Sequence, residues 1–289
     1  MKAAFAALVG RPSCGKSTFL NRACGHKVSI VSEYPQTTRN LVRGIVNAPR
    51  GQLVFIDTPG FHLSDKRMNL HLKELVGRAL EEVELVLYLA DLSRPPGAEE
   101  HSLMKRLAPR ERELVIGLNK IDLGARNLPA FRSELASIFQ EPIVKTLSAR
   151  TGEGVNEVLE ALFELAPEGE RLYPEEYYTD QRPEFRIAEI IREKAIAHAR
   201  QEVPHSLFVE VSDLETREDR IWARCFIFVE RESQKGIMVG KGGERIKSIV
   251  DQAQRELAGL FPQPVELSVR VKTRPKWRKD ESLLKRIIS

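Results

Sequence analysis

The segment Gly10-Arg11-Pro12-Ser13-Cys14-Gly15-Lys16-Ser17-Thr18 has the spacing G-x-x-x-x-G-K-[ST]. Glycines at that separation allow a turn whose backbone N–H groups surround phosphate oxygens. The lysine then reaches the β- and γ-phosphates of a nucleoside triphosphate, and the Ser17 hydroxyl takes a Mg²⁺ position. A lone match is also met as an incidental glycine turn. Here residues 3–9 are apolar enough for a buried parallel strand and residues 17–23 can start a helix. Strand, glycine turn and helix is the context in which such a loop holds phosphate.

Four more elements follow in order. Asn119-Lys120-Ile121-Asp122 comes directly after the apolar run 114–118. The Asp122 carboxylate there accepts hydrogen bonds from N1–H and the exocyclic N2 amine of guanine, a pattern adenine lacks, which selects GTP over ATP. Asp57-Thr58-Pro59-Gly60 ends another run, with Asp57 placed to hold Mg²⁺ through water and Gly60 to donate its N–H to the γ-phosphate. Thr37-Thr38 precedes the short run 41–46, where a threonine hydroxyl completes the magnesium shell only while GTP is bound. Ser148-Ala149-Arg150 follows residues 143–147 and offers a backbone N–H to guanine O6.

Taken singly, Thr38 reads as a loop threonine and Ser148 as a helix cap. In an ordered set of five elements they become ligands. The expected nucleotide contacts are residues 10–18, Asp57, Thr58, Pro59, Gly60, Asn119, Lys120, Asp122, Ser148, Ala149 and Arg150. Ser17, Thr38 and Asp57 are the expected metal ligands, and Lys16, Thr38 and Gly60 serve hydrolysis.

Such residues need a frame. From residue 1 to about 166, the runs Leu53-Val54-Phe55-Ile56, Leu85-Val86-Leu87-Tyr88-Leu89, Leu114-Val115-Ile116-Gly117-Leu118 and Ile143-Val144-Lys145-Thr146-Leu147 predict strands. Helical patterns near 66–82, 98–108, 130–139 and 154–165 alternate with them. This rhythm predicts an α/β domain with a mostly parallel sheet and helices on both faces. Such a sheet binds ligand beyond the carboxyl ends of its strands, where each motif above falls. Residues 167–183 are polar and turn-rich with no period, and predict a linker.

Residues 184–289 form a second domain. It opens with a helix presenting Phe185, Ala188, Ile191, Ala195 and His198 on one face, followed by strands at 207–211 and 221–229. Trp222 lies within the second strand and is expected in the core. After Gly240-Lys241-Gly242-Gly243 come a helix (Ile246, Ile249, Val250, Ala253, Leu257), a strand (Val265, Leu267, Val269, Val271) and a candidate closing helix at 282–288. A G-x-x-G turn is a weak signal alone. Between two helices, after helix-strand-strand and before helix-strand, it is the element by which KH domains clamp the backbone of a single-stranded RNA. The expected RNA contacts are Gly240, Lys241, Gly242, Gly243, Arg245 and Lys247, with Ile237, Met238, Val239 and Ile246 as an apolar floor.

Charge distribution agrees with a polyanionic partner. Residues 236–289 hold twelve Lys/Arg against six Asp/Glu, while the rest of the chain holds 33 against 35. Part of that excess, from Arg270 to Lys279, also reads as a solvated strand end, and Trp277 among it is either buried or free to stack on a base. At 289 residues, 42% hydrophobic and 30% charged, the chain has the length of two globular domains and is far from the composition of disorder. No run approaches the roughly 20 apolar residues that span a bilayer, and the N-terminus lacks a secretory signal, so a cytoplasmic location is expected. Cys14, Cys24 and Cys225 are an odd count without C-x-x-C spacing, which argues against a disulfide framework and a zinc site. Cys14 reads as a small packing residue rather than a redox switch.

The five nucleotide elements resemble those of the small GTPase superfamily. Gln36-Thr37-Thr38-Arg39 with Asp57-Thr58-Pro59-Gly60 resembles its bacterial Era branch. The second half, with Ile187-Ala188-Glu189-Ile190-Ile191-Arg192-Glu193-Lys194 and Val229-Glu230-Arg231-Glu232-Ser233-Gln234-Lys235, is similar to the same family, so the resemblance covers the whole chain. It implies a P-loop GTPase domain followed by an α+β type II KH domain, with GTP/GDP and Mg²⁺ as ligands. It also implies binding near the 3′ end of small-subunit ribosomal RNA, a checkpoint in small ribosomal subunit assembly, and peripheral association with the inner face of the cell membrane. A monomer is expected.

Two departures bear on mechanism. Phe61 stands where many signalling GTPases place a water-orienting glutamine, a hydrophobic replacement typical of Era-like enzymes, so slow intrinsic turnover is expected. Ser13-Cys14 stands where the family usually has Asn-Val; in potassium-stimulated relatives that asparagine helps hold K⁺, so K⁺ activation is expected to be weak or absent. Two functions stay open on the sequence: a GTP-hydrolysing switch on ribosomal RNA, and an RNA-binding module whose GDP/GTP domain is structural.

Overall fold

The protein is described by a computed structural model over residues 1–35, 37–61, 67–199 and 203–288. It divides into two compact units, built mainly from Met1–Asp180 and Gln181–Arg286.

In the first unit, β1 (Lys2–Val9), β2 (Val42–Ala48), β3 (Gly51–Asp57), β4 (Leu85–Asp91), β5 (Leu114–Asn119) and β6 (Ile143–Leu147) form a six-stranded sheet in the order β2-β3-β1-β4-β5-β6. All pairings are parallel except the β2–β3 hairpin. Every residue of β3, β4 and β5 is buried, as expected for apolar strands covered on both faces.

The covering helices are α1 (Lys16–Cys24), α2 (Arg67–Glu81), α3 (Ala98–Leu107), α4 (Leu128–Ile138) and α5 (Val155–Leu165). Their buried residues repeat at helical spacing: Leu103, Met104 and Leu107 on α3, and Val155, Val158, Ala161 and Leu162 on α5. Each of the valine, leucine and methionine side chains among them contributes roughly 1.5–3 kcal/mol by leaving water. The frame therefore holds the carboxyl ends of β1, β3, β4, β5 and β6 side by side, and each delivers a functional loop.

The stretch expected as a linker is hydrogen-bonded over much of its length. The buried Gln52 side chain donates to the carbonyls of Tyr173 (2.9 Å) and accepts from the N–H groups of Leu172 (2.9 Å) and Tyr173 (2.8 Å). Ile45 N–H donates to Tyr178 O at 2.9 Å, and Thr179 Oγ1 to Arg43 O at 2.8 Å, so residues 172–180 run along the outer edge of β2.

The second unit contains α6 (Pro183–His198), α7 (Val203–Ser206), β7 (Phe208–Thr216), β8 (Ile221–Val229), α8 (Glu232–Val239), α9 (Glu244–Leu257), β9 (Val265–Thr273) and α10 (Glu281–Ile287). The sheet order is β7-β8-β9, with β7–β8 antiparallel and β8–β9 parallel. Parallel neighbours need a crossover, and here it is α8, the glycine turn and α9. Alternation on β8 buries Ile221, Ala223, Cys225, Ile227 and Val229 while Trp222, Arg224, Phe226 and Phe228 take the other face. Trp222 is thus only half-buried, with Arg224 over its ring, and is not the core residue expected. Trp277 is the buried tryptophan: its ring packs on Phe208 and its Nε1 donates to Ser206 O at 2.8 Å, which excludes it as a base platform. No described helix is long and apolar enough to cross a membrane.

Candidate functional site

The loop after β1 is built by close approach. Gly10 (φ 155°) has no room for a Cβ, which would stand 2.3 Å from Leu89 O, and a Cβ on Gly15 (φ 103°) would stand 2.3 Å from Asn119 Nδ2. Asn119 uses that proximity to donate from Nδ2 to Cys14 O at 2.8 Å, and its Oδ1 accepts from Lys120 N–H (2.8 Å) and Ala149 N–H (2.9 Å). One asparagine thereby joins the phosphate loop, the base-reading loop and the loop after β6. Lys16 begins α1 and is buried; its Nζ donates to Gly10 O and Arg11 O, both at 3.0 Å, which holds the ammonium over the loop.

The expected metal ligands converge. Ser17 Oγ donates to Asp57 Oδ2 at 2.7 Å and lies 3.0 Å from Thr38 Oγ1. Ser29 Oγ, absent from the expected set, also donates to Asp57 Oδ2 at 2.8 Å. Burial pushes the Asp57 carboxyl up, against the pull of Lys16 and of the Ser17, Ser29 and Thr38 hydroxyls. Asp57 Oδ1 is buried and has no hydrogen-bond partner among the described residues. A desolvated carboxylate with an idle oxygen beside two hydroxyls is an oxygen donor set that fits a hard divalent cation such as Mg²⁺.

At the other end of the same ≈ 490 Å³ cleft lie Asn119, Lys120, Asp122, Ala149 and Arg150, with Pro12, Ser13, Gly15, Lys16, Ser17, Thr18, Thr38 and Gly60 at the phosphate end. Asp122 is fixed by Ser148 Oγ, which donates to Oδ1 at 2.6 Å, and by Arg150 Nη2, 2.6 Å from Oδ2; these contacts hold its carboxyl below the usual range. The Ser148 N–H is donated to Glu153 O at 2.8 Å and that of Ala149 to Asn119, so both are engaged within the protein. Ser148 reaches the base-reading group through its hydroxyl.

Some expected residues serve the frame. Arg11 is turned away from the cleft into ion pairs with Glu99 and the buried Glu100 of α3. Thr58 Oγ1 donates to Leu8 O at 2.6 Å and ties its loop to β1. Gly60 presses on the phosphate loop, where a Cβ would meet Pro12 Cα at 2.6 Å. Phe61 donates its N–H to Gly10 O at 3.0 Å and buries its ring in the core, so no side chain at this position reaches toward water. Cys14 is fully buried and burial pushes its thiol up, which suits packing and not thiolate chemistry. Gln36 lies outside the described residues.

Asp91, at the end of β4, is a further site residue outside the expected set. It is buried and accepts from Lys120 Nζ at 2.8 Å and Ser93 Oγ at 2.6 Å. Lys120 sits in the left-handed conformation (φ 71°), and this bond fixes its side chain. The only signal was an acid closing an apolar strand.

In the second unit Gly240 (φ 75°), Gly242 (φ 60°) and Gly243 (φ 82°) all take left-handed or related conformations that favour glycine. A Cβ on Gly240 would meet Arg245 at 2.8 Å, whereas one on Gly242 would meet nothing within 4 Å, so the turn presents bare backbone outward at the start of α9. Lys241 and Lys247 are exposed and Arg245 donates to Ile237 O, anchoring the turn to α8. Of the expected apolar floor, Ile237 is exposed and Val239 and Ile246 half-buried, but Met238 is wholly buried and belongs to the core.

Comparison with known proteins gives the same order of parts. Residues 5–120 match the family described as 50S ribosome-binding GTPase and residues 202–278 the KH domain. GTPase Era of Treponema denticola is 50% identical over 293 aligned residues, covering 99% of each chain. A crystal structure of an Aquifex aeolicus Era variant bound to GDP·AlF₄⁻ superposes with a TM-score of 0.93 at 32% identity, covering 99% of each chain. Era solved with MgGDPNP and nucleotides 1506–1542 of 16S ribosomal RNA gives the same TM-score and identity, over 99% of this chain and 98% of that one. Matched end to end and in both halves, this chain belongs to the GTPase Era family.

Proposed function

We propose that the protein is a GTP-hydrolysing switch that binds the 3′ region of small-subunit ribosomal RNA through its glycine turn and acts in small ribosomal subunit assembly. The observation that carries the switch is the convergence of Ser17, Thr38 and Asp57 at 2.7–3.0 Å, because Thr38 belongs to a loop that only a γ-phosphate side of the site has reason to recruit. A nucleotide held as a structural element would not require it.

In this reading Asp122 selects guanine, Lys16 neutralises charge on the β- and γ-phosphates, and the Gly60 N–H and Thr38 meet the γ-phosphate. Mg²⁺ held by Ser17, Thr38 and Asp57 would supply charge neutralisation at the phosphate oxygens. Ser13 does not fit a K⁺ ligand as asparagine does, because its hydroxyl is too short a reach from a backbone already at φ 61°, and weak or absent K⁺ activation follows. Buried Phe61 offers the attacking water no side chain at this position, so intrinsic turnover is expected to be no faster than about 10⁻⁴ to 10⁻² s⁻¹ and the water-orienting group has to come from elsewhere.

The RNA assignment is supported by the exposed turn at 240–243 with Lys241 and Lys247, and by the Era relative solved with 16S ribosomal RNA nucleotides. We place its action in the cytoplasm, as a monomer, with peripheral contact at the inner face of the membrane as the resemblance implies.

Single-turnover GTP hydrolysis with and without small ribosomal subunits tests the enzyme reading. Slow product formation that accelerates with subunits is expected. Product formation at the uncatalysed rate under both conditions would leave the second reading, a structural nucleotide in an RNA-binding module.

A further inference from the structure

The carboxylate that reads guanine is paired with a group of the protein itself. Arg150 Nη2 lies 2.6 Å from Asp122 Oδ2, while Ser148 Oγ holds Oδ1 at 2.6 Å. The Asp122 side chain is 11% exposed and that of Arg150 is 71% exposed, so the carboxylate is the fixed partner and the guanidinium the movable one. The backbone behind Arg150 is tethered: its carbonyl accepts from Arg22 Nη2 at 2.6 Å, and the neighbouring Ala149 N–H is held by Asn119 Oδ1. Release of Asp122 therefore falls to the side-chain torsions of Arg150.

The chemistry of the two groups is alike. A guanidinium presents N–H donors on a planar N–C–N frame, and guanine presents N1–H and its N2 amine on the same frame. Both ask for the same carboxylate edge. We propose that Arg150 is a specificity-site gate: its guanidinium occupies Asp122 as an intramolecular stand-in for the Watson–Crick edge of guanine, and an incoming guanine nucleotide must displace it. This rests on the guanine-nucleotide reading above.

The gate keeps Asp122 aligned and charge-compensated, and imposes a competition that falls on association. Because the guanidinium is largely exposed, the pair has the strength of a surface ion pair, and the competition amounts to about two- to fivefold in affinity.

The test uses the full chain and rapid mixing with a fluorescent GDP in Mg²⁺ buffer at physiological salt. Arg150→Ala is expected to raise the association rate constant about two- to fivefold, leave the dissociation rate constant unchanged, and tighten equilibrium binding by the same factor. Arg150→Lys keeps the positive charge that steers phosphates but loses the planar fork, and is expected to lie between the two. Thermal unfolding monitors the fold, which an exposed side chain should not disturb. An unchanged or slower association with Arg150→Ala, or a faster dissociation, would overturn the proposal, the latter because it would make Arg150 a clasp on bound base. Failure of the wild-type chain to bind GDP at all would instead sink the nucleotide reading on which the proposal stands.

Discussion

Ser13 is the one non-glycine residue of the phosphate loop with a positive φ. Its φ of 61° lies in the left-handed region, which costs most side chains about 1 kcal/mol but which asparagine tolerates through local hydrogen bonding. Ser13→Asn is therefore expected to stabilise the protein by a few tenths to about 1 kcal/mol in denaturant unfolding, and to gain a stimulation of GTP turnover by K⁺ over Na⁺ that is expected to be weak or absent in the wild type. Equal, large K⁺ stimulation of both proteins would contradict this. Most of the site is legible residue by residue because Lys16, Asp57, Asn119 and Asp122 each follow a strand or turn that dictates a role. What is not legible is what holds them. Asp91 reaches Lys120 across 29 positions and Glu100 reaches Arg11 across 89, and neither pairing leaves a spacing to read.

Strands and helices are legible in the sequence as unbroken apolar runs or as apolar residues at periods of two and 3.6: β3 to β5 are buried throughout, β8 alternates, and α3 and α5 bury one face. Residues 167–183 have no period, and so read as free chain. The order in that segment comes from backbone groups meeting β2 and the buried Gln52, which a side-chain pattern cannot encode. The Gln52 amide is fully used: it also donates to Asn47 Oδ1 at 2.8 Å. Gln52→Ala strands the N–H groups of Leu172 and Tyr173, and is expected to cost about 2–3 kcal/mol of stability and to expose residues 170–176 to limited proteolysis. Unchanged unfolding free energy and an unchanged cleavage pattern would mean that this segment is held by other contacts. Since β2 directly follows the loop that carries Thr38, the edge strand is also the part of the first unit best placed to register the nucleotide.

For the whole molecule, two compact units in one chain matter only if each responds to the other's ligand. Covalent continuity supplies a route: Thr38 leads into β2, residues 172–180 lie on β2, and α6 begins three residues later at Pro183. Coupling of this kind is a free-energy difference between two nucleotide states, typically worth a factor of five or more. The sequence order of the parts made the two activities legible, but coupling is a property of two states and has no signature in one sequence. The most direct measurement is the affinity of the protein for a single-stranded RNA of the 16S 3′ region, taken with a non-hydrolysable GTP analogue and again with GDP, both with Mg²⁺. Gly242→Asp is measured in parallel, since the open space at Gly242 admits the side chain and sets a negative charge where phosphate is expected. The affinities are expected to differ at least about fivefold between the two nucleotides, and to fall about tenfold or more with Gly242→Asp in both states at unchanged nucleotide affinity. Equal RNA affinity with GTP analogue and GDP would contradict the switch, and undiminished binding by Gly242→Asp would place the RNA on another surface.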